Sequence, residues 1–172
     1  MRERDAVSEP DGQAETSSVA EEIKAYQLGE SPGHLLRRCA QRAVSIFAAE
    51  VRSRRITARQ FTLLIAVSQR PGLTQSDLVD ATGIDRSTVG EMIERLVQRG
   101  HLHRKRSGSD QRANLLYVQP TGVDVLRSIV AAVARAEQRI FDPVPPELRS
   151  CLVTALKLIA GQHEGMASSS RE

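Results

Sequence analysis

Apolar residues recur at helical spacing along most of the chain and switch to strict alternation in one place. Leu35, Leu36, Cys39, Ala40, Ala43, Val44, Phe47 and Val51 keep a helical period from His34 to about Arg52, behind the start Ser31-Pro32-Gly33. Phe61, Leu64, Ile65 and Val67 give the core face of a second helix. Thr57 and Gln60 stand at capping-box spacing before it, and Pro71-Gly72 ends it. Thr74 caps a third helix, with Asp77 three residues on, Leu78, Val79 and Ala81 as its apolar positions, and Gly83 as its terminator. Asp85 caps a fourth, Arg86 to Arg99, with Val89, Met92, Ile93, Leu96 and Val97 as the buried stripe and Gly100 closing it. Alternation then takes over. His101–Arg106 and Ala113–Val118 read as two strands joined by Ser-Gly-Ser-Asp-Gln-Arg. Thr121-x-x-Asp124 is expected to cap a long helix that runs to about Phe141. Asp142-Pro143-Val144-Pro145-Pro146 breaks the chain, and Leu148–Ala160 forms a last helix through Leu152, Leu156 and Ile159.

A helix–turn–helix followed by a hairpin is the sequence form of a winged helix–turn–helix, whose second helix enters the DNA major groove. The fold class is therefore mainly α with a small β-hairpin wing. Residues 57–119 form the winged helix–turn–helix, while 31–56 and 120–172 are expected to be helices that form a dimerisation layer. A twenty-residue helix is about 30 Å long, more than a compact winged domain needs. The wide stripe on the first long helix likewise leaves apolar area for a partner subunit. Residues 1–30 are acidic. The first twenty or so are expected to be disordered, and Glu21–Gly29 to add a helical turn or two through Ile23, Tyr26 and Leu28.

Charge sharpens this division. The 172-residue chain carries +3, yet residues 1–30 hold three basic and eight acidic residues, which leaves +8 on the rest. With Val89, Ile93 and Leu96 facing inward, the fourth helix turns Arg86, Ser87, Gly90, Glu91 and Arg95 outward, with Thr88 near the edge. Arg and Ser suit base edges and phosphates, and Gly90 lets a backbone approach closely. Glu91 can accept from cytosine N4, or it orients Arg95 or Arg86. Thr74, Gln75 and Ser76, at the start of the third helix, join the DNA-facing set. On the hairpin, Arg104, Lys105, Arg106 and Arg112 bracket a tip where only Asp110 opposes them, the electrostatic footprint of a polyanion site.

Several runs carry a resemblance. Ile84-Asp85-Arg86-Ser87-Thr88-Val89, then Leu96-Val97-Gln98-Arg99-Gly100-His101-Leu102, then Asp110-Gln111-Arg112, then Pro120-Thr121-Gly122 together resemble the multiple-antibiotic-resistance-regulator (MarR) family over roughly residues 31 to 162. Gln119 stands where that family usually has Thr. The resemblance implies that Arg112 reaches the minor groove at the wing tip and that Asp110 positions it. It also implies intertwined terminal helices in a two-fold dimer, so that two recognition helices meet operator half-sites about 34 Å apart. The opening Pro32-Gly33-His34-Leu35-Leu36-Arg37-Arg38 is similar to the branch of the family that controls aromatic-acid catabolism. His34, Arg37, Arg38 or Arg42 would then hold the carboxylate of an aromatic effector or the phosphate of its coenzyme A thioester, and apolar neighbours the ring.

Little else suggests chemistry. Cys39 and Cys151 read as small core residues, although a peroxide-sensing branch of the same family uses a cysteine in its first long helix, so thiol sensing through Cys39 stays as the alternative. His101 and His103 alternate on one strand without a further ligand at metal spacing, and the Ser, His and Asp residues form no catalytic arrangement. The expectation is no enzyme, no cofactor and no metal. No apolar run approaches the roughly 20 residues of a membrane span, and a charged N-terminus is unlike a secretory signal, so a cytoplasmic regulator with no membrane partner is expected.

Overall fold

The computed structural model describes residues 19, 21–52, 56–106 and 114–161. The chain divides into two units, Met1–Gln41 and Arg42–Glu172. In the first, residues 21–25 are helical, Leu28–Glu30 form a 3₁₀ turn, and helix α1 (Pro32–Glu50) begins. Ile23, Tyr26, Leu28 and Leu35 are all exposed there. The disorder expected of the first twenty residues lies, apart from Val19, outside the described residues.

The second unit continues α1 and adds α2 (Ala58–Gln69), α3 (Gln75–Thr82), α4 (Arg86–Gln98), β1 (Leu102–Arg106), β2 (Asn114–Val118), α5 (Pro120–Phe141) and α6 (Pro146–Ile159). The helix starts follow the caps in the sequence. The Thr57 hydroxyl accepts from the Gln60 amide at 3.2 Å, and Gln60 Oε1 accepts in return from the Thr57 amide at 3.1 Å. Thr74 and Asp77 repeat the reciprocal pattern before α3, at 2.7 and 3.2 Å. Each pair satisfies amides that a helix N-terminus leaves open. Gly83, at φ 65°, ends α3 in the left-handed region that glycine adopts most readily.

β1 and β2 pair antiparallel, with Leu102 opposite Val118 and Arg106 opposite Asn114. The segment before α3 adds a short third edge: the Gly72 amide donates to the Leu116 carbonyl and the Leu116 amide to the Leu73 carbonyl, each at 2.9 Å. Leu102 and Leu116 thereby enter the core of Leu63, Leu64, Val67, Leu78, Val89, Ile93 and Leu96. A second cluster joins Phe47 and Val51 to Ile129 and Val133 of α5, with the Phe47 and Phe61 rings 5.8 Å apart. Beside it, Glu50 accepts from Arg139 at 2.7 Å and Arg135 at 3.2 Å. Arg139, then Arg135, hold the Glu50 carboxyl below its ordinary range.

Three expectations are corrected. The long helix is not capped by Thr121 and Asp124. It begins at Pro120 behind Gln119, where no side chain caps it, because proline has its φ preset and brings no amide to satisfy. Thr121 is thereby freed to donate to the Gly100 carbonyl, and Asp124 pairs with Arg127 at 3.0 Å. His101 lies outside β1, with its amide on Leu96 and its carbonyl accepting from Gln119. Cys39 and Cys151 are exposed rather than core residues. The reason is shared: α6 buries none of its residues, and α1 buries only Ile46 and Phe47.

Candidate nucleic-acid interface

Helix α4 presents the face expected of it. Val89, Met92, Ile93 and Leu96 are buried, while Arg86, Ser87, Glu91 and Arg95 are exposed and Thr88 and Gly90 are half-buried. Asp85 sets its start. The Ser87 hydroxyl donates to Asp85 Oδ1 at 2.6 Å and the Thr88 amide at 2.9 Å. Bonds from Ser87, then Thr88, hold the Asp85 carboxyl far below the usual carboxylate range. Ser87 is thus oriented by the cap at the solvent-facing tip of the helix, where the N-terminal end of the peptide dipole favours an anion.

Part of the expected contact set is engaged within the helix–turn–helix. Gln75 Nε2 donates to the Arg86 carbonyl at 2.9 Å, and the Arg86 guanidinium to Ser76 Oγ at 3.0 Å. Together they fasten the start of α3 to the start of α4. Gly90 belongs to the same joint: a Cβ there would stand 3.0 Å from Gln75 Nε2, so the close approach that Gly90 permits is made by the Gln75 side-chain amide. Thr74 is committed to its capping box with Asp77, whose carboxyl its bonds hold low. Of the two roles open to Glu91, the structure shows the pair with Arg95, at 3.2 Å.

On the wing, Arg104, Lys105 and Arg106 follow the buried Leu102 and half-buried His103 along β1, all three exposed. Arg104 donates to Glu94 Oε1 at 2.8 Å, joining the strand to α4. Glu94 was not singled out by the sequence, because nothing local connects positions ten apart across a turn. Asp110 and Arg112 lie outside the described residues. The His103 ring stacks on Tyr117 at 5.2 Å. Burial, then Arg99, lowers the His101 pKa. Among the described residues no three His, Cys, Asp or Glu gather as metal ligands. None of the described helices is long and apolar enough to cross a membrane. Of the candidate effector residues, His34 and Arg37 share a 2.9 Å hydrogen bond on α1, and Arg38 and Arg42 are exposed.

A short helix locked across the N-terminus of a longer one, followed by a basic hairpin, defines a winged helix–turn–helix. The MarR family pattern matches residues 56–113. A Thauera aromatica protein named for transcriptional regulation of the hcr operon is 30% identical over 162 residues, 94% of this chain and 97% of that protein. The chain belongs to the MarR family and is a transcriptional regulator of that kind. Among solved structures, Bordetella bronchiseptica BpsR, studied for regulation of its DNA binding by 6-hydroxynicotinic acid, aligns with a TM-score of 0.74 at 33% identity, over 78% of this chain and 96% of BpsR. The repressor CouR bound to a 23-mer DNA duplex aligns with a TM-score of 0.71 at 30% identity, over 77% of this chain and 94% of CouR.

Proposed function

We propose that the chain is a homodimeric repressor that holds a near-palindromic operator and releases it on binding a small aromatic acid or its coenzyme A thioester. The observation that carries the DNA part is the start of α4, where Asp85 orients Ser87 beside exposed Arg86 on a helix braced by α3. Ser87 and Thr88 read base edges, Lys105 and Arg106 meet the phosphate backbone, and Arg112, oriented by Asp110, reaches the minor groove at the wing tip. The dimer is supported by Leu148, Leu152, Leu156 and Ile159, exposed along α6 in the single chain.

The effector class is supported by the likeness to BpsR, which 6-hydroxynicotinic acid regulates. It is supported further by cations on α1, where His34, Arg37, Arg38 or Arg42 would hold the anionic group. Such a ligand lowers operator affinity only by binding the DNA-incompetent form more tightly, tenfold for each 1.4 kcal/mol of preference. Calorimetry against a panel of aromatic acids and thioesters tests this reading, with one class expected to bind and to weaken operator binding. No heat from any of them would remove the effector claim and leave the DNA claim intact. Thiol sensing is kept as a second reading by one fact, that Cys39 is exposed. Oxidant that frees DNA from the parent and not from a Cys39→Ser variant would favour it.

A further inference from the structure

Arg104 differs from the other cations of the wing strand in where its charge goes. It sits in the middle of β1, opposite Leu116, and its guanidinium meets Glu94 of α4 at 2.8 Å. Its side chain is 35% exposed and that of Glu94 is 55%. The neighbouring Glu91–Arg95 pair is longer, at 3.2 Å, more exposed, at 68% and 60%, and lies within one helix. Of these two pairs, Arg104–Glu94 is the one that joins the helix that would enter the groove to the strand that carries the wing.

A cation that neutralises a phosphate releases condensed counterions, and each such contact adds about one unit to the salt slope of binding. An arginine already matched by a carboxylate at contact distance contributes a nearly neutral pair. What it contributes instead is geometry, because a charge-assisted bond holds the planar guanidinium in one orientation. We infer that Arg104 is a positioning residue: through Glu94 it fixes the base of the wing against the middle of α4, setting the angle between recognition helix and wing, while phosphate contact falls to the cations beyond it. This assignment rests on the DNA-binding reading above, and it removes Arg104 from the direct contacts expected from the sequence.

The two roles give opposite signs for Glu94. If Arg104 met phosphate, removing the Glu94 charge would free the guanidinium and tighten operator binding, and removing Arg104 would lower the salt slope by about one unit. A positioning pair behaves otherwise. Glu94→Gln and Arg104→Gln should each weaken specific binding by about two- to five-fold, the range of an exposed ion pair. The double variant should be no weaker than the worse single, and the Arg104→Gln slope should stay within a few tenths of the parent's.

Hydrogen exchange of the free protein gives a readout that needs no DNA. Both single variants should speed exchange of the β1 and β2 amides by similar factors, while α3 and the buried part of α4 keep their protection. Tighter binding by Glu94→Gln, additive losses, or unchanged wing exchange in both variants would overturn the assignment. Failure of the parent to bind any DNA fragment would instead bring down the DNA reading, a result separate from the exchange data.

Discussion

The winged helix–turn–helix, α2 included, and the terminal helix α6 treat similar apolar residues in opposite ways. In the first, Leu63, Leu64, Leu78, Val89 and Leu96 are wholly withdrawn from solvent. In the second no residue is buried, and Leu158 and Ile159 stand 58% and 64% exposed. Helix α5 lies between these extremes, with Ile129, Val133 and Ala136 inward and Val123 and Val130 outward. A helix gains most of its stability from packing an apolar face, and among the described residues nothing supplies that packing for α6. The contrast divides the molecule into a part that closes its own core and a part that leaves its apolar face open, which is why the proposed dimer places a partner copy against the second.

The contrast can be broken from the core outward. Leu96→Ala opens a cavity among side chains with nowhere to go and should cost about 2–5 kcal/mol in urea unfolding. Gly122→Ala tests the joint between α5 and the wing. An added Cβ would clash with the His101 carbonyl and Val118, and because the clash is with backbone it should cost about 1–3 kcal/mol in the same assay. A loss within error at either site would mean that the core is looser than described. Leu156→Asp acts on the other region. Helix content by circular dichroism should hold while the dimer dissociation constant, from sedimentation, rises at least about tenfold, or 1.4 kcal/mol. Unchanged association would detach α6 from the dimer.

The smallest effect concerns the cap of α4. The folded pKa of Asp85 is depressed, so its charge contributes stability above the unfolded value of about 3.9, and that contribution is lost as pH falls through the folded value. Asp85→Asn should therefore be less stable than the parent near neutrality. The gap should narrow as pH is lowered below about 4, where the unfolded chain takes up the Asp85 proton while the folded parent still holds the carboxylate ionised. A gap constant down to strong acid would mean that the bonds to Ser87 and Thr88 do not favour the ionised form.

What was legible in the sequence was local. Thr57 with Gln60, Thr74 with Asp77, and Asp85 with Thr88 lie three residues apart, so each cap could be read along with the stripe it precedes. Thr121 and Asp124 show the same spacing and are misleading, because the helix starts at Pro120, two residues before a Thr121 cap would begin it, without a side-chain cap. Pairings between elements were out of reach. Nothing in the chain couples Glu50 to Arg135 and Arg139, separated by 85 and 89 positions, or Glu94 to Arg104. The cysteines were misplaced for a related reason: helical periodicity shows which face is apolar and not whether the same chain covers it. Gly90 carried a usable signal, since a glycine inside a helix marks a close approach, but the approaching group proved to be Gln75.

Fluorescence anisotropy with DNA from upstream of the chain's own gene, against a scrambled duplex of equal length across a salt series, tests most directly that α4 and the wing read DNA as a two-fold pair. The expected result is two protomers per site, affinity at least about a thousand-fold above the scrambled duplex, and a salt slope of several units. Equal affinity for both duplexes, or one protomer per site, would contradict it.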